Sequence, residues 1–96
     1  MKLLLVIYSG ADPQLVPTLF DRHHAGGYTE LDHAHGRGAS GPLAGTRAWP
    51  GDASLYFSIV ARERVDEMTE AFRAAAAVLE PGERLHVAVM PTDTFF

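Results

Sequence analysis

Two six-residue apolar runs, one near the start of the chain and one just past its middle, constrain the fold most. They are Leu3–Tyr8 and Leu55–Val60. Apolar runs of this length, rich in branched and aromatic residues, are typical of strands that are covered on both faces. We therefore expect both runs to be central strands of one sheet.

Two other segments have helical periodicity. Asp12-Pro13 predicts a capping residue followed by proline at the first helical position, and an apolar face indicates a helix from about Pro13 to His24. Because Pro17 lacks an amide hydrogen, it predicts a kink in the first turns or a helix start nearer Pro17. From Arg64 onward apolar residues recur at spacings of three and four, and Pro81-Gly82 closes this second helix.

Two further strands complete the pattern. Tyr28–His35 is a polar run that predicts an edge strand, and Leu85–Met90 alternates like a half-buried strand that stops at Pro91. The order strand, helix, strand, strand, helix, strand predicts one α+β domain over residues 1–96. Its fold is ferredoxin-like βαββαβ with a four-stranded antiparallel sheet.

Both helices of such a fold cover the same face of the sheet, so the other apolar face of the central strands needs a cover. Burying even ~300 Å² of apolar surface stabilises by several kcal/mol, at about 25 cal/mol per Å². A second copy of the chain can provide this cover. We therefore expect a homo-oligomer.

A long glycine-rich loop separates the predicted second and third strands. Five of the nine glycines fall within it: Gly36, Gly38, Gly41, Gly45 and Gly51. Glycine tolerates positive φ and lets a ligand approach the backbone, so we expect function in this segment, the 36–52 loop. We also expect it to be the most mobile part of the chain.

Charge and composition exclude several classes of function. The net charge is −4 and the eight basic residues are scattered, which disfavours nucleic acid as a partner. The absence of cysteine excludes disulfides and thiolate metal sites and fits a cytoplasmic protein. The apolar run within Met1–Tyr8 is too short to insert across a membrane.

The 36–52 loop contains a candidate anion site. Gly36-Arg37-Gly38 and Gly45-Thr46-Arg47 supply backbone N–H groups and two guanidinium groups, which can hold phosphate or carboxylate. The segment lacks the lysine and the strand-to-helix context of a P-loop, so a partner-binding loop with solvated arginines is the alternative. Trp49 is either a lid packed on the body or an exposed recognition residue.

His33 and His35 form a candidate metal site. A period of two places both imidazoles on one face of the second strand, with Asp32 on the other face unless the strand ends there. Neutral imidazoles bind Zn²⁺, Cu²⁺ or Ni²⁺, and a third ligand could come from a neighbouring subunit or from His23, His24 or His86. The alternative is a pair of polar edge-strand residues with no ligand.

The sequence gives little support for catalysis. It contains no cysteine nucleophile, no G-x-S-x-G motif and no paired carboxylate context. A triad drawn from Ser40, His33 and Asp32 would depend on a flexible loop. We therefore do not expect an enzyme and assign no catalytic residue.

Four local motifs resemble the PII-like signalling proteins, a group that includes the nitrogen regulator PII and relatives such as CutA. They are Gly27-Tyr28-Thr29, Gly36-Arg37-Gly38, the run Val65–Phe72 that opens the second helix, and Pro81-Gly82-Glu83. The resemblance implies a homotrimer that senses a small effector in clefts between subunits. It also implies that the long loop, with Gly36, Arg37, Gly38, Gly45, Thr46, Arg47 and Trp49, contacts ligands and a partner protein.

Two departures from the PII pattern concern the ligand. PII proteins carry a basic run after the final core strand that holds nucleotide phosphates, whereas here no arginine or lysine follows Arg84. No tyrosine lies between Tyr28 and Tyr56, so the loop tyrosine that is uridylylated in some PII proteins is missing. The sequence therefore leaves two candidate classes of effector, a small anion and a divalent transition metal. A metal-binding protein led by His33 and His35 is the alternative function.

Overall fold

The structure is a computed structural model that describes residues 1–38, 41–42 and 52–96. A four-stranded antiparallel sheet forms its centre, made of β1 (Lys2–Ser9), β2 (Thr29–Ala34), β5 (Ala53–Val60) and β6 (Arg84–Pro91). The strand order in the sheet is β2-β5-β1-β6. The two apolar runs are thus the central strands, and β2 and β6 are the edges, as predicted.

Two helices connect the strands. The first, α1, spans Leu15–Arg22, and the second, α2, spans Val65–Ala77 after a short 3₁₀ turn at Arg62–Arg64. The first helix begins at Leu15, two residues later than Pro13, so Pro17 lies in its first turn. Pro17 is the third residue of α1, where an amide hydrogen would have no acceptor within the helix.

The predicted N-cap at Asp12 is wrong, because Gln14 occupies that position without a side-chain cap hydrogen bond and Asp12 lies two residues before it. The side-chain oxygen Oδ1 of Asp12 accepts a hydrogen bond from the backbone N–H of Gln14 at 2.9 Å, and its carbonyl accepts one from Leu15 at 3.2 Å. The backbone N–H groups of Gln14 and Leu15, at the start of the helix, thereby have acceptors.

The core lies between one face of the sheet and the two helices. Leu4, Val6 and Tyr56 contribute from the central strands, Phe20 from α1 and Phe72 from α2, and all five are almost fully buried. The rings of Phe20 and Phe72 pack edge to face with centroids 5.6 Å apart, a favoured aromatic geometry. This packing fixes both helices on the same side of the sheet.

The opposite face of the sheet is apolar, and within the described residues no helix covers it. Its central part consists of half-buried side chains that pair across β1 and β5: Leu3 with Ile59, Leu5 with Phe57, and Ile7 with Leu55. Towards the edges it continues with the exposed Leu31 and Met90. We call this surface the helix-free face.

The long connection between β2 and β5 is present where the sequence predicts it. Its described part contains a small antiparallel pair formed by β3 (Arg37–Gly38) and β4 (Gly41–Pro42), which was not predicted from the sequence. Across residues 1–38, 41–42 and 52–96, no helix has the length and apolar character needed to cross a membrane.

Candidate functional site

A cleft of about 350 Å³ opens at the root of the 36–52 loop, where the loop leaves β2 and rejoins β5. Three parts of the chain meet there: the end of β1 with the turn that follows it, the part of β2 from Glu30 to His33, and the beginning of β5. The lining residues are Tyr8, Ser9, Gly10, Ala11, Pro13, Glu30, Asp32, His33, Asp52, Ala53, Ser54 and Tyr56. Because β2 and β5 flank the loop, the cleft lies beside both of its ends.

An irregularity in β2 shapes one wall of this cleft. The pairing of β2 with β5 runs from Thr29 to Leu31 and then shifts register before Ala34, which leaves one extra residue on β2. Such a bulge interrupts the alternation of side chains along a strand. His33 lies within it at φ 60°, a left-handed backbone conformation that is uncommon outside glycine.

Asp52 joins three segments at the loop root. Its Oδ2 lies 2.8 Å from Nδ1 of His33, and its Oδ1 lies 3.7 Å from Nε2 of His35. Its backbone carbonyl accepts a hydrogen bond of 2.9 Å from the hydroxyl of buried Ser9. The hydrogen bond and the negative charge of Asp52 raise the pKa of His33. Asp52 therefore ties the end of β2 to the end of β1 and the start of β5.

A pair of carboxyl groups forms the other polar part of the wall. Glu30 and Asp32 are two residues apart on β2, and a hydrogen bond between them raises the pKa of Glu30 and lowers that of Asp32. The hydroxyl of Ser54 also donates to Oδ1 of Asp32 at 2.9 Å. One proton is thus retained more readily on Glu30 than on Asp32.

Tyr56 lies beneath this pair at the boundary between cleft and core. Burial, followed by the negative charge of Glu30, raises its pKa to about 12. Its ring is 1% exposed and packs against Tyr28 and Phe20. The phenol therefore stays neutral at physiological pH and forms a rigid floor.

The described wall can accept hydrogen bonds from a ligand at its carboxylates, and its hydroxyl groups can donate or accept. Glu30, Asp32 and Asp52 would attract amine and hydroxyl donors and would repel a phosphate or carboxylate placed against them. Among the described residues that line the cleft, His33 is the one basic side chain. An anionic effector would therefore need its charged group held by parts of the site other than these three carboxylates.

Of the nine predicted site residues, five belong to the described part of the chain and four lie outside it. His33 and His35 come together at Asp52, and exposed Gly36 follows them. Arg37 and Gly38 form the short strand β3. The remaining predicted loop residues lie outside the described residues: Gly45, Thr46, Arg47 and Trp49.

The expected geometry of the histidine pair needs a correction. A regular period of two would separate Asp32 from His33, but both line the cleft because the bulge interrupts that period. Within residues 1–38, 41–42 and 52–96, no three or more histidine, cysteine, aspartate or glutamate side chains are grouped to hold a metal ion. The metal site at His33 and His35 stays a prediction.

Several residues of the cleft were absent from the sequence-based site. Glu30 could have been found, because two carboxylates spaced by two on one strand share a face. Asp52 and Tyr8 gave no comparable signal, since their contacts to the cleft come from distant parts of the chain.

The comparisons with known proteins identify the fold. No protein-family profile matches the sequence, and no curated protein has significant sequence similarity to it. Solved structures do match. CPII, a nitrogen regulatory PII-like protein from Thiomonas intermedia K12 bound to ADP, AMP and bicarbonate, has a TM-score of 0.70 and 23% identity, covering 93% of this chain and 84% of that chain.

Two further structures show the same likeness. The apo form of CPII has a TM-score of 0.65 and 20% identity, over 93% of this chain and 87% of that chain. A proposed PII-like signalling protein from Thermus thermophilus has a TM-score of 0.58 and 22% identity, over 92% of this chain and 83% of that chain. The chain therefore has the ferredoxin-like fold of PII-like proteins, at 20–23% sequence identity to these structures.

Proposed function

We propose that this chain is a PII-like regulatory protein that senses a small effector and uses the 36–52 loop to engage a partner protein. The observation that carries the proposal is the cleft at the root of that loop, within a fold shared with CPII. CPII has been solved with ADP, AMP and bicarbonate bound. A ligand that fills the cleft here would contact His33 and Asp52, which hold the two ends of the loop.

The charge of the cleft limits which part of an effector can bind there. The carboxylates of Glu30, Asp32 and Asp52 suit the hydroxyl and amine donors of a nucleoside and repel its phosphates. Arg37 and Arg47 are the candidate partners for the phosphates or for a small anion such as bicarbonate. The effector we propose is thus a small anion with hydrogen-bond donors, of which ADP and AMP are examples.

A homotrimer is part of the same proposal. The helix-free face carries six half-buried apolar side chains on β1 and β5 and has no cover within the described part of one chain. Packing of this face against neighbouring copies would bury it. We propose a regulatory role and assign no chemical step to the cleft.

Calorimetric titration of the purified chain with ADP, AMP and sodium bicarbonate tests the proposal. We expect at least one of them to bind with Kd below ~100 μM, which corresponds to about 5.5 kcal/mol. Ala11→Trp should fill the cleft and weaken that binding at least tenfold. Ala74→Trp, on the exposed surface of α2, is the matched control and should bind like the native chain. The proposal fails if none of the three ligands binds, or if both variants bind equally well.

A divalent transition metal is the second candidate effector. The observation in its favour is the approach of His33 and His35 to the same carboxylate, at 2.8 and 3.7 Å. Zinc accepts a set of two imidazoles and one carboxylate, but in this arrangement the three groups do not form a metal site, so binding would need the His33–Asp52 contact to open. Calorimetric titration with metals at several pH values separates this candidate from the first, because only metal binding requires both imidazoles to be neutral.

A further inference from the structure

Glu83 lies behind the cleft, in the turn between α2 and β6, and none of its atoms lines the cleft wall. Its carboxylate nevertheless reaches the turn after β1. Oε2 accepts a hydrogen bond from the backbone N–H of Ala11 at 2.9 Å, and the hydroxyl of Tyr8 donates to the same oxygen at 3.4 Å. Ala11 and Glu83 are separated by 72 positions of the chain.

The second carboxylate oxygen is also occupied. Oε1 accepts a hydrogen bond of 2.8 Å from the backbone N–H of Glu80, and the backbone N–H of Glu83 donates to the carbonyl of Glu80 at 3.0 Å. Glu83 is thus fixed within its own turn while it holds the turn after β1. Bonds from two backbone donors lower the pKa of Glu83, so the carboxylate is ionised at neutral pH.

The residues held by Glu83 do line the cleft. Tyr8, Gly10 and Ala11 form the wall at the end of β1. The hydroxyl of Tyr8 also accepts a hydrogen bond of 3.1 Å from the backbone N–H of Asp12, so the phenol is held from both sides. Gly10 leaves room for this arrangement, because a β-carbon there would overlap the Tyr8 hydroxyl and the Glu83 carboxylate.

From these contacts we infer that Glu83 is a positioning residue for the cleft: it fixes the Gly10–Ala11 wall against the turn between α2 and β6. The inference deepens the proposed function and rests on it for the link to effector binding. A shift of the Glu83 turn would move the cleft wall through Ala11 and Tyr8. Effector binding and the conformation of this turn are therefore coupled.

Glu83→Gln is a direct test because it keeps the shape and removes one acceptor. An amide has one oxygen, whereas Glu83 uses two oxygens to accept from two backbone N–H groups. One of these donors must then face the NH₂ group and lose its partner. Glu80→Gln is the matched control, since it removes the same charge from an exposed side chain in the same turn.

The first measurement is amide hydrogen exchange by NMR on the free, full-length protein. We expect at least a tenfold faster exchange at Ala11 or Glu80 in Glu83→Gln, with native rates at the paired amides of β1 and β5. Glu80→Gln should exchange like the native chain. Gly10→Ala, which forces the same contacts apart and keeps every charge, should reproduce the effect. Native exchange rates at both amides in Glu83→Gln would overturn the inference.

The second measurement is the affinity for ADP, AMP and bicarbonate by calorimetry. For whichever of these binds the native chain, we expect Kd to rise about tenfold in Glu83→Gln and less than twofold in Glu80→Gln. Faster exchange with unchanged affinity would overturn the positioning role. If no probe binds the native chain, the proposed function fails, and the exchange rates alone decide whether Glu83 fixes the wall.

Discussion

Nδ1 of His33 lies 2.8 Å from Oδ2 of Asp52, so that a single contact joins the end of β2 to the last residue of the 36–52 loop. The contact spans 19 positions of the chain, between the bulge of β2 and the start of β5. Both ends are also tied to the body of the protein, Asp52 by Ser9 and β2 by its pairing with β5. A ligand in the cleft that changes this pair would therefore act on both ends of the loop.

The charge of Asp52 should be visible in the titration of His33. A histidine whose folded pKa is raised stabilises the folded state fully below its unfolded value of about 6.5, and this contribution disappears as the pH rises through the folded pKa. We expect His33 to titrate above 6.5 by NMR and to return towards 6.5 in Asp52→Asn. Asp93→Asn, which removes an exposed carboxylate near the C-terminus, should leave His33 unchanged. Equal titration of His33 in both variants would show that the pair does not form in solution.

The backbone of His33 should prefer glycine once its side chain is removed. At φ 60° a β-carbon costs about 1 kcal/mol in backbone free energy, which glycine avoids. We therefore expect His33→Gly to unfold at a higher urea concentration than His33→Ala. At His35, which is not at positive φ, the order should reverse, because glycine there increases only the entropy of the unfolded chain. The same order at both positions would argue against the bulge.

The strands and helices were predictable because the spacing of apolar residues along the chain is a local pattern, and the order of these elements predicted the strand order of the sheet. The runs at Leu3–Tyr8 and Leu55–Val60 are apolar on both faces, which predicted central strands, whereas their antiparallel register is visible only in the structure. The bulge at His33 was not predictable, because histidine is enriched at positive φ but still has negative φ at most positions. The Tyr8–Glu83 and Ser9–Asp52 contacts depend on tertiary packing across 75 and 43 positions, which one sequence cannot reveal.

The helix-free face gives a prediction about assembly. If it packs against neighbouring copies, light scattering at micromolar concentration should give three times the chain mass of 10.4 kDa. Phe57→Glu places a charge in the centre of this face, where burial without a partner is strongly unfavourable, and it should produce a folded monomer. Ala74→Glu on exposed α2 should keep the native mass. A native chain with the mass of a monomer would contradict the trimer.

The metal candidate predicts a specific pH dependence. A metal bound by His33 and His35 must displace the proton from His33, and Asp52 raises the pKa of that imidazole. As the pH is lowered, affinity should therefore begin to fall while the pH is still above 6.5, the ordinary histidine value, and should weaken steeply below it. Calorimetric titration with zinc, nickel and copper at several pH values measures this dependence.

The matched variants for the metal test are a His33→Ala, His35→Ala double variant and His86→Ala, which removes an exposed imidazole from β6. Only the double variant should lose binding, by at least tenfold, because the remaining Asp52 supplies a single carboxylate. Asp52→Asn tests the part of the pH dependence that comes from Asp52. This variant should bind the metal with lower affinity. The pH at which affinity begins to fall should also be lower, since His33 then loses its proton more readily. If native and double variant bind alike, or if the native chain binds no metal below ~100 μM, the two histidines serve only to hold Asp52 at the loop root.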